Sequence, residues 1–123
     1  MELTRRQIQV GKLVHEELSQ IFTKEGFFQM GKGMASIAEV IMTPDLLEAK
    51  VFLSFINVED KKAAIELFEG RAKEIRGALG NRLRHHLRRI PELHFLLDDS
   101  MERAFRLEKI FKDINKEQSE EDA

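Results

Sequence analysis

Between residues 64 and 87 an apolar side chain recurs every three or four positions, at Ala64, Phe68, Ala72, Ile75, Leu79, Leu83 and Leu87. A stripe of this period commits the stretch to helix with one face buried. Gly77 and Gly80 stand inside it, and an interior glycine weakens a helix by about 1 kcal/mol relative to alanine. The stretch is therefore expected to bend or break around residues 77–80, with Pro91 ending the second helical part. So long a stripe needs a second layer to cover it, and the flanking segments have the composition to supply one.

Upstream, "SIAEVIM" and "EAKVFLSFI" are rich in β-branched and aromatic residues, and the second alternates Ala49, Val51, Leu53 and Phe55 with Lys50, Phe52, Ser54 and Ile56. Both read as strands. "TPDLL" between them has the proline and aspartate of a reversal, which predicts an antiparallel hairpin. The second face of "EAKVFLSFI" is mixed rather than polar, so it is expected to be partly covered. "LHFLL" after Pro91 reads as a third strand. At the N-terminus, Thr4 and Gln7 have capping-box spacing, and Val10, Leu13, Val14, Leu18, Ile21 and Phe22 form a helical stripe. "TKEGFFQMGKGMA" holds Gly26, Gly31 and Gly33 and is expected to be a long, mobile loop. Ser100 can cap a last helix reaching about residue 114, with Ala104, Leu107, Phe111 and Ile114 as its stripe. The predicted order is helix, strand, strand, bent helix, strand, helix. This is an α+β fold, a three-stranded sheet covered by helices, in one domain over residues 1–114. The remaining residues, 115–123, read as an acidic disordered tail.

Composition narrows the function. A chain of 123 residues can bury one core. The absence of cysteine excludes disulfides, thiolate catalysis and cysteine-ligated metals. No apolar run approaches the roughly 20 residues of a membrane span, and a cytoplasmic location is expected. The formal net charge is −2, but the average conceals a gradient. Residues 71–89 hold the seven bases Arg71, Lys73, Arg76, Arg82, Arg84, Arg88 and Arg89 against the single acid Glu74, a net of six positive charges.

Groups that could carry catalysis are sparse. His85 and His86 are adjacent, and on a helix they would diverge by about 100° rather than grip one metal ion. Asp98 and Asp99 precede Ser100 and suit the positive end of a helix. No phosphate-binding loop, dinucleotide fingerprint or nucleophile elbow is present. A non-enzymatic protein with no cofactor and no bound metal is expected. Phe27, Phe28, Phe52, Phe55 and Phe95 are read as core rather than as base-stacking platforms, with Phe27 and Phe28 the exception, because a loop buries two rings only if it folds back or meets a partner. Arg82, Arg84, Arg88 and Arg89 have no acid nearby in sequence, and phosphate is the natural ligand of such a patch.

"GALG", residues 77–80, is a G-x-x-G between helical segments. Taken with "SIAEVIMTPDLLEAKVFLSFI", "IRGALGNRL" and "RIPELHFLLDDSMERAFRLEKI" in this order and spacing, the chain closely resembles the bacterial ribosome-binding factor A family from about residue 5 to residue 114. The resemblance implies a K-homology fold of the second type, helix-strand-strand-helix-helix-strand. It further implies a non-enzymatic assembly factor that binds the free, immature 30S small ribosomal subunit, assists maturation of 16S rRNA at its 5′ end and supports growth in the cold. Members replace the G-x-x-G with an alanine-x-glycine kink, which Ala78-Leu79-Gly80 matches. On this reading Lys73, Arg76, Arg82, Arg84, Arg88 and Arg89 line the helix after the bend and contact rRNA phosphates, while Gly77, Ala78 and Gly80 let the backbone approach closely. Arg5, Arg6 and Lys12 on the first helix form a secondary patch. The implied partners are the small subunit and its 16S rRNA, with no membrane, no small-molecule substrate and a monomeric protein. The alternative is a protein-interaction module whose basic helix docks an acidic partner or the acidic tail.

Overall fold

A computed structural model describes residues 3–98. The helix expected over 100–114, the tail over 115–123 and Asp99 lie outside the described residues. Helix α1 (Arg5–Glu25) begins where the sequence signals it. Thr4 Oγ1 accepts from the Gln7 amide at 3.1 Å, and Gln7 Oε1 accepts from the Thr4 amide at 2.8 Å. Gln7 is nonetheless buried, because its Nε2 donates to the Met42 carbonyl at 2.9 Å and ties the helix start to the sheet. Gly26 ends α1 in the left-handed region at φ 72°.

The glycine-rich segment is more ordered than the sequence predicts. It contains a short strand, β1 (Gln29–Met30), which turns into β2 (Gly33–Met42), so the sheet has four strands rather than three. The physical reason is Gly33, where a Cβ would lie 2.6 Å from the Asn57 carbonyl oxygen. Only glycine lets the chain pass so close to the end of β3 (Glu48–Ile56) and enter the sheet early.

Strands β2 and β3 pair antiparallel with a register shift between Ile37 and Glu39, which leaves Ala38 as the extra residue of a bulge. The bulge explains an irregularity in the sequence. Before it Ala35 and Ile37 lie opposite Phe55 and Leu53, and after it Val40 and Met42 lie opposite Val51 and Ala49, so the inward phase changes from odd to even numbers. In the connecting turn Thr43 Oγ1 donates to Asp45 Oδ1 at 2.6 Å, and Leu46 takes a positive φ of 63°.

From β3 the chain crosses through α2 (Lys61–Gly70) and α3 (Ala72–Leu83) to β4 (Glu92–Leu97), which pairs with β3 in parallel. The sheet order is β1-β2-β3-β4. Val14, Leu18 and Phe22 from α1, Phe68 from α2, and Ile75, Leu79 and Leu83 from α3 meet Met42, Val51, Leu53 and Phe95 of the sheet in one core.

The break in the long helical stretch lies at Arg71, not at residues 77–80. Arg71 has φ −104° and ψ 7°, and its amide donates to the Phe68 carbonyl, which closes α2 with a tight turn. Gly77 and Gly80 are ordinary interior residues of α3, and the propensity they forfeit is outweighed by the burial of Ile75, Leu79 and Leu83 beside them. The helix also stops at Leu83, before Pro91, and residues 84–90 form an irregular connection held by the Arg84, His86 and Leu87 amides donating to Gly80 and Leu83 carbonyls.

Candidate nucleic-acid interface

The kink is fixed by its own arginine. Arg71 donates from Nε and one terminal nitrogen to both oxygens of Glu74, at 3.0 and 3.1 Å, and its guanidinium lies 4.2 Å from the centre of the Phe27 ring. These hydrogen bonds hold the Glu74 carboxyl below its ordinary range. The loop after α1 is thereby clipped to the α2–α3 junction. Phe27 and Phe28 belong to the same structure, with ring centres 5.5 and 5.3 Å from that of Phe22. They fold back onto the core, the first of the two outcomes open to them.

Beyond the kink, Lys73, Arg76 and Gly77 occupy one face of α3 at spacings of three and four. The connection after α3 returns past this face, and Lys73, Arg76, Gly77, Arg88, Arg89 and Ile90 together line an open groove of about 550 Å³. Five of the nine expected site residues therefore converge, although Arg88 and Arg89 come from the connection rather than from the helix. Arg76 builds the groove: its Nε donates to the Pro91 carbonyl at 3.1 Å and a terminal nitrogen to the Ile90 carbonyl at 2.8 Å. Ile90 packs beside Gly80 of α3, where a Cβ would make an ordinary contact, 3.5 Å from Ile90 Cγ1. At Gly77 a Cβ would meet none of the described residues within 4 Å, so among them the floor of the groove is bare backbone. Lys73, Arg88 and Arg89 are exposed.

The other expected residues are placed elsewhere. Arg82 faces α1, where one terminal nitrogen donates to Glu17 at 3.2 Å and to Gln20 at 2.9 Å. Its acid is distant in sequence, which is why the segment reads as unbalanced. Arg84 is exposed just past the end of α3, and Ala78 is half-buried against the core. Arg5 and Arg6 are exposed in the first turn of α1, and Lys12 lines a separate groove between α1 and β2. None of these lines the α3 groove.

Arg76, Arg89 and Ile90 also border a second depression of about 260 Å³, whose far side carries Asp45, Glu48 and Glu92. The positive groove thus ends at a line of acids, a boundary made by strand pairing of Glu48 with Glu92 that no local sequence pattern reveals. Glu48, Glu92 and His94 bring ligand-type atoms within 4.8 Å of one another, and His94 Nε2 lies 3.0 Å from Glu48 Oε1. All three side chains lie at the surface, an arrangement that the exposed hydrogen bond between His94 and Glu48 explains. His85 and His86 stand in the turn after α3, both exposed.

Comparison with known proteins places this geometry in a family. The family described as ribosome-binding factor A matches residues 6–111. A ribosome-binding factor A of Chlorobium phaeobacteroides is 41% identical over 110 residues, covering 89% of this chain and 93% of the relative. One from Cytophaga hutchinsonii is 39% identical over 114 residues, covering 93% of this chain and 85% of the relative. In fold the chain is similar to the crystal structure of ribosome-binding factor A from Thermus thermophilus, with a TM-score of 0.62 at 15% identity over 74% of this chain and 94% of that one. The K-homology order of elements, with β1 added at one edge, agrees with that likeness. The chain belongs to the ribosome-binding factor A family.

Proposed function

We propose that this protein is a ribosome-binding factor that docks on the free 30S small subunit and uses the α3 groove to hold rRNA phosphates. The observation that carries the reading is the convergence of Lys73, Arg88 and Arg89 around the bare backbone of Gly77. Arg84 extends the positive edge, while Arg76 shapes the groove through its carbonyl partners and Arg82 ties α3 to α1 outside it. Among the described residues no aromatic side chain lines the groove, which suits recognition of the backbone and its shape rather than stacked bases. Family membership supports the partner. A homology model of the Thermus thermophilus ribosome binding factor A, 18% identical with a TM-score of 0.58, has been fitted into a cryo-EM map of a 30S complex.

The finer role carried by the family resemblance, assistance to 5′-end maturation of 16S rRNA and to growth in the cold by a monomeric, non-enzymatic, cytoplasmic factor, is part of this proposal. So is the division into an RNA-binding domain over 1–114 and an acidic tail. Among the described residues no helix is long and apolar enough to cross a membrane.

Co-sedimentation with separated small subunits, large subunits and joined ribosomes tests the reading. Binding confined to free small subunits, and lost in a Lys73→Gln/Arg88→Gln/Arg89→Gln variant that keeps its thermal transition, is the expected result. Equal binding to every particle, or full binding by that variant, would refute the groove as the rRNA site.

A further inference from the structure

The depression at the end of the α3 groove has two unlike walls. Asp45, Glu48 and Glu92 form one side and Arg76, Arg89 and Ile90 the other, around about 260 Å³. The last three also line the α3 groove, so the two spaces adjoin. Strand pairing fixes the acids: Glu48 lies directly opposite Glu92, and the Glu92 amide donates to the Leu47 carbonyl at 2.9 Å. Like charges directly opposite on paired strands repel, and a ligand carrying hydrogen-bond donors relieves that repulsion. Glu48 has His94 as a partner at 3.0 Å. The Glu92 side chain has no hydrogen bond or ion pair among the described residues, and neither has that of Arg89 on the other wall. An acid and a base thus border one small cavity without pairing.

The two walls select what can enter. A phosphate suits Arg89 but meets the acids, and an ammonium group suits the acids but meets Arg89. A neutral group with donors on one edge and acceptors on the next satisfies both. We propose that this depression reads a guanine base of the strand whose phosphates lie in the α3 groove, an inference that rests on the RNA reading of that groove. A carboxylate only accepts. Guanine offers it two adjacent donors, N1–H and the N2 amino group, and keeps the acceptors O6 and N7 for Arg89. Adenine and cytosine present one amino group beside a ring-nitrogen acceptor, and uracil one N–H between two carbonyl oxygens, so each sets a lone pair against the carboxylate. Ile90 gives the ring an apolar flank, which the Arg76 hydrogen bonds to the Ile90 and Pro91 carbonyls hold in place. The space is smaller than the roughly 300–1,000 Å³ of drug-sized pockets, a size for one base. Recognition through the base edge needs no aromatic platform.

Fluorescence anisotropy with short labelled RNAs tests the inference, using oligouridine with no substitution or with one central guanosine, adenosine or inosine, the last lacking only the 2-amino group of guanosine. Wild type should bind the guanosine RNA about ten-fold tighter than oligouridine or the adenosine RNA, and inosine should lose most of that gain. In Glu92→Ala the preference should vanish, while affinity for oligouridine holds or rises because an acid beside the phosphates has gone. The ratio separates base reading from charge, since losing an acid tightens every RNA alike. Thermal melting checks the fold, and Glu92→Gln repeats the test if Glu92→Ala disturbs β4. Equal binding of every RNA by wild type, weakened alike in Lys73→Gln/Arg88→Gln/Arg89→Gln, would overturn the base pocket and leave the groove reading standing. A guanosine preference that survives in both Glu92→Ala and Glu48→Ala would overturn it too. Free guanosine monophosphate competing as well as the guanosine RNA would overturn it in favour of a nucleotide site. No binding of any RNA, or undiminished oligouridine binding by the triple variant, would remove the groove reading and this inference with it.

Discussion

At the scale of single residues, the arginines of one basic run have different partners. Arg71 and Arg76 are structural clips, one on Glu74 and the Phe27 ring, the other on the carbonyls of Ile90 and Pro91. Arg82 joins α3 to α1, with side chains 31% and 23% exposed at Arg82 and Glu17. An ion pair this accessible contributes little, so Arg82→Gln is expected to lower unfolding free energy in urea by about 0.5–1 kcal/mol. It should leave small-subunit co-sedimentation close to wild type, unlike a change at Arg88 or Arg89. Asp45 gives a pH prediction. The Thr43 hydroxyl, and then the Leu47 amide, hold its carboxyl below its ordinary value of 3.8. A carboxyl lowered in the folded state stabilises above its unfolded pKa, and that contribution is lost as pH falls through the lower folded value. Wild type should therefore exceed Asp45→Asn in urea midpoint at neutral pH, and the gap should close as pH falls below that ordinary value. A gap that widened on acidification would contradict the hydrogen-bond assignment.

At the scale of elements, the long apolar stripe is divided by Arg71 and not by its glycines. This gives Gly77→Ala two opposite effects. Its Cβ enters open space on a regular helix, so stability should rise by about 0.5–1 kcal/mol. The same methyl group occupies the groove floor, so subunit binding should weaken, and equilibrium unfolding beside co-sedimentation separates the two. A destabilised Gly77→Ala would mean that the glycine serves a bend after all. The stripe itself, the capping box of α1, the alternation of β3 and the strand after Pro91 were all legible because each rests on contacts between near neighbours in sequence. The kink and the early end of α3 were not, because both depend on what the helix packs against: Ile90 on Gly80, and Phe27 under Arg71.

At the scale of the whole molecule, Lys73, Arg88 and Arg89 converge on one groove in a chain whose formal net charge is −2. With Lys73, Arg84, Arg88 and Arg89 each neutralising a phosphate, binding to irregular RNA should fall with a log–log salt slope of about −3, and replacing Lys73, Arg88 and Arg89 by glutamine should make it shallower by about 2. Titrations of a small-subunit rRNA fragment at several salt concentrations measure both. An unchanged slope in the triple variant would move the contact to another surface. By itself the sequence determined the α+β class, the order of the elements from β2 to β4, most of the core and the presence of a basic segment, because periodicity and local charge are properties of neighbouring residues. Only the tertiary structure decided which of those charges are available. The partners that occupy Arg76 and Arg82, and the acids that bound the groove, come from positions far apart in the chain. Strand pairing and helix packing bring them together, and no pattern of local spacing encodes a contact between residues so distant.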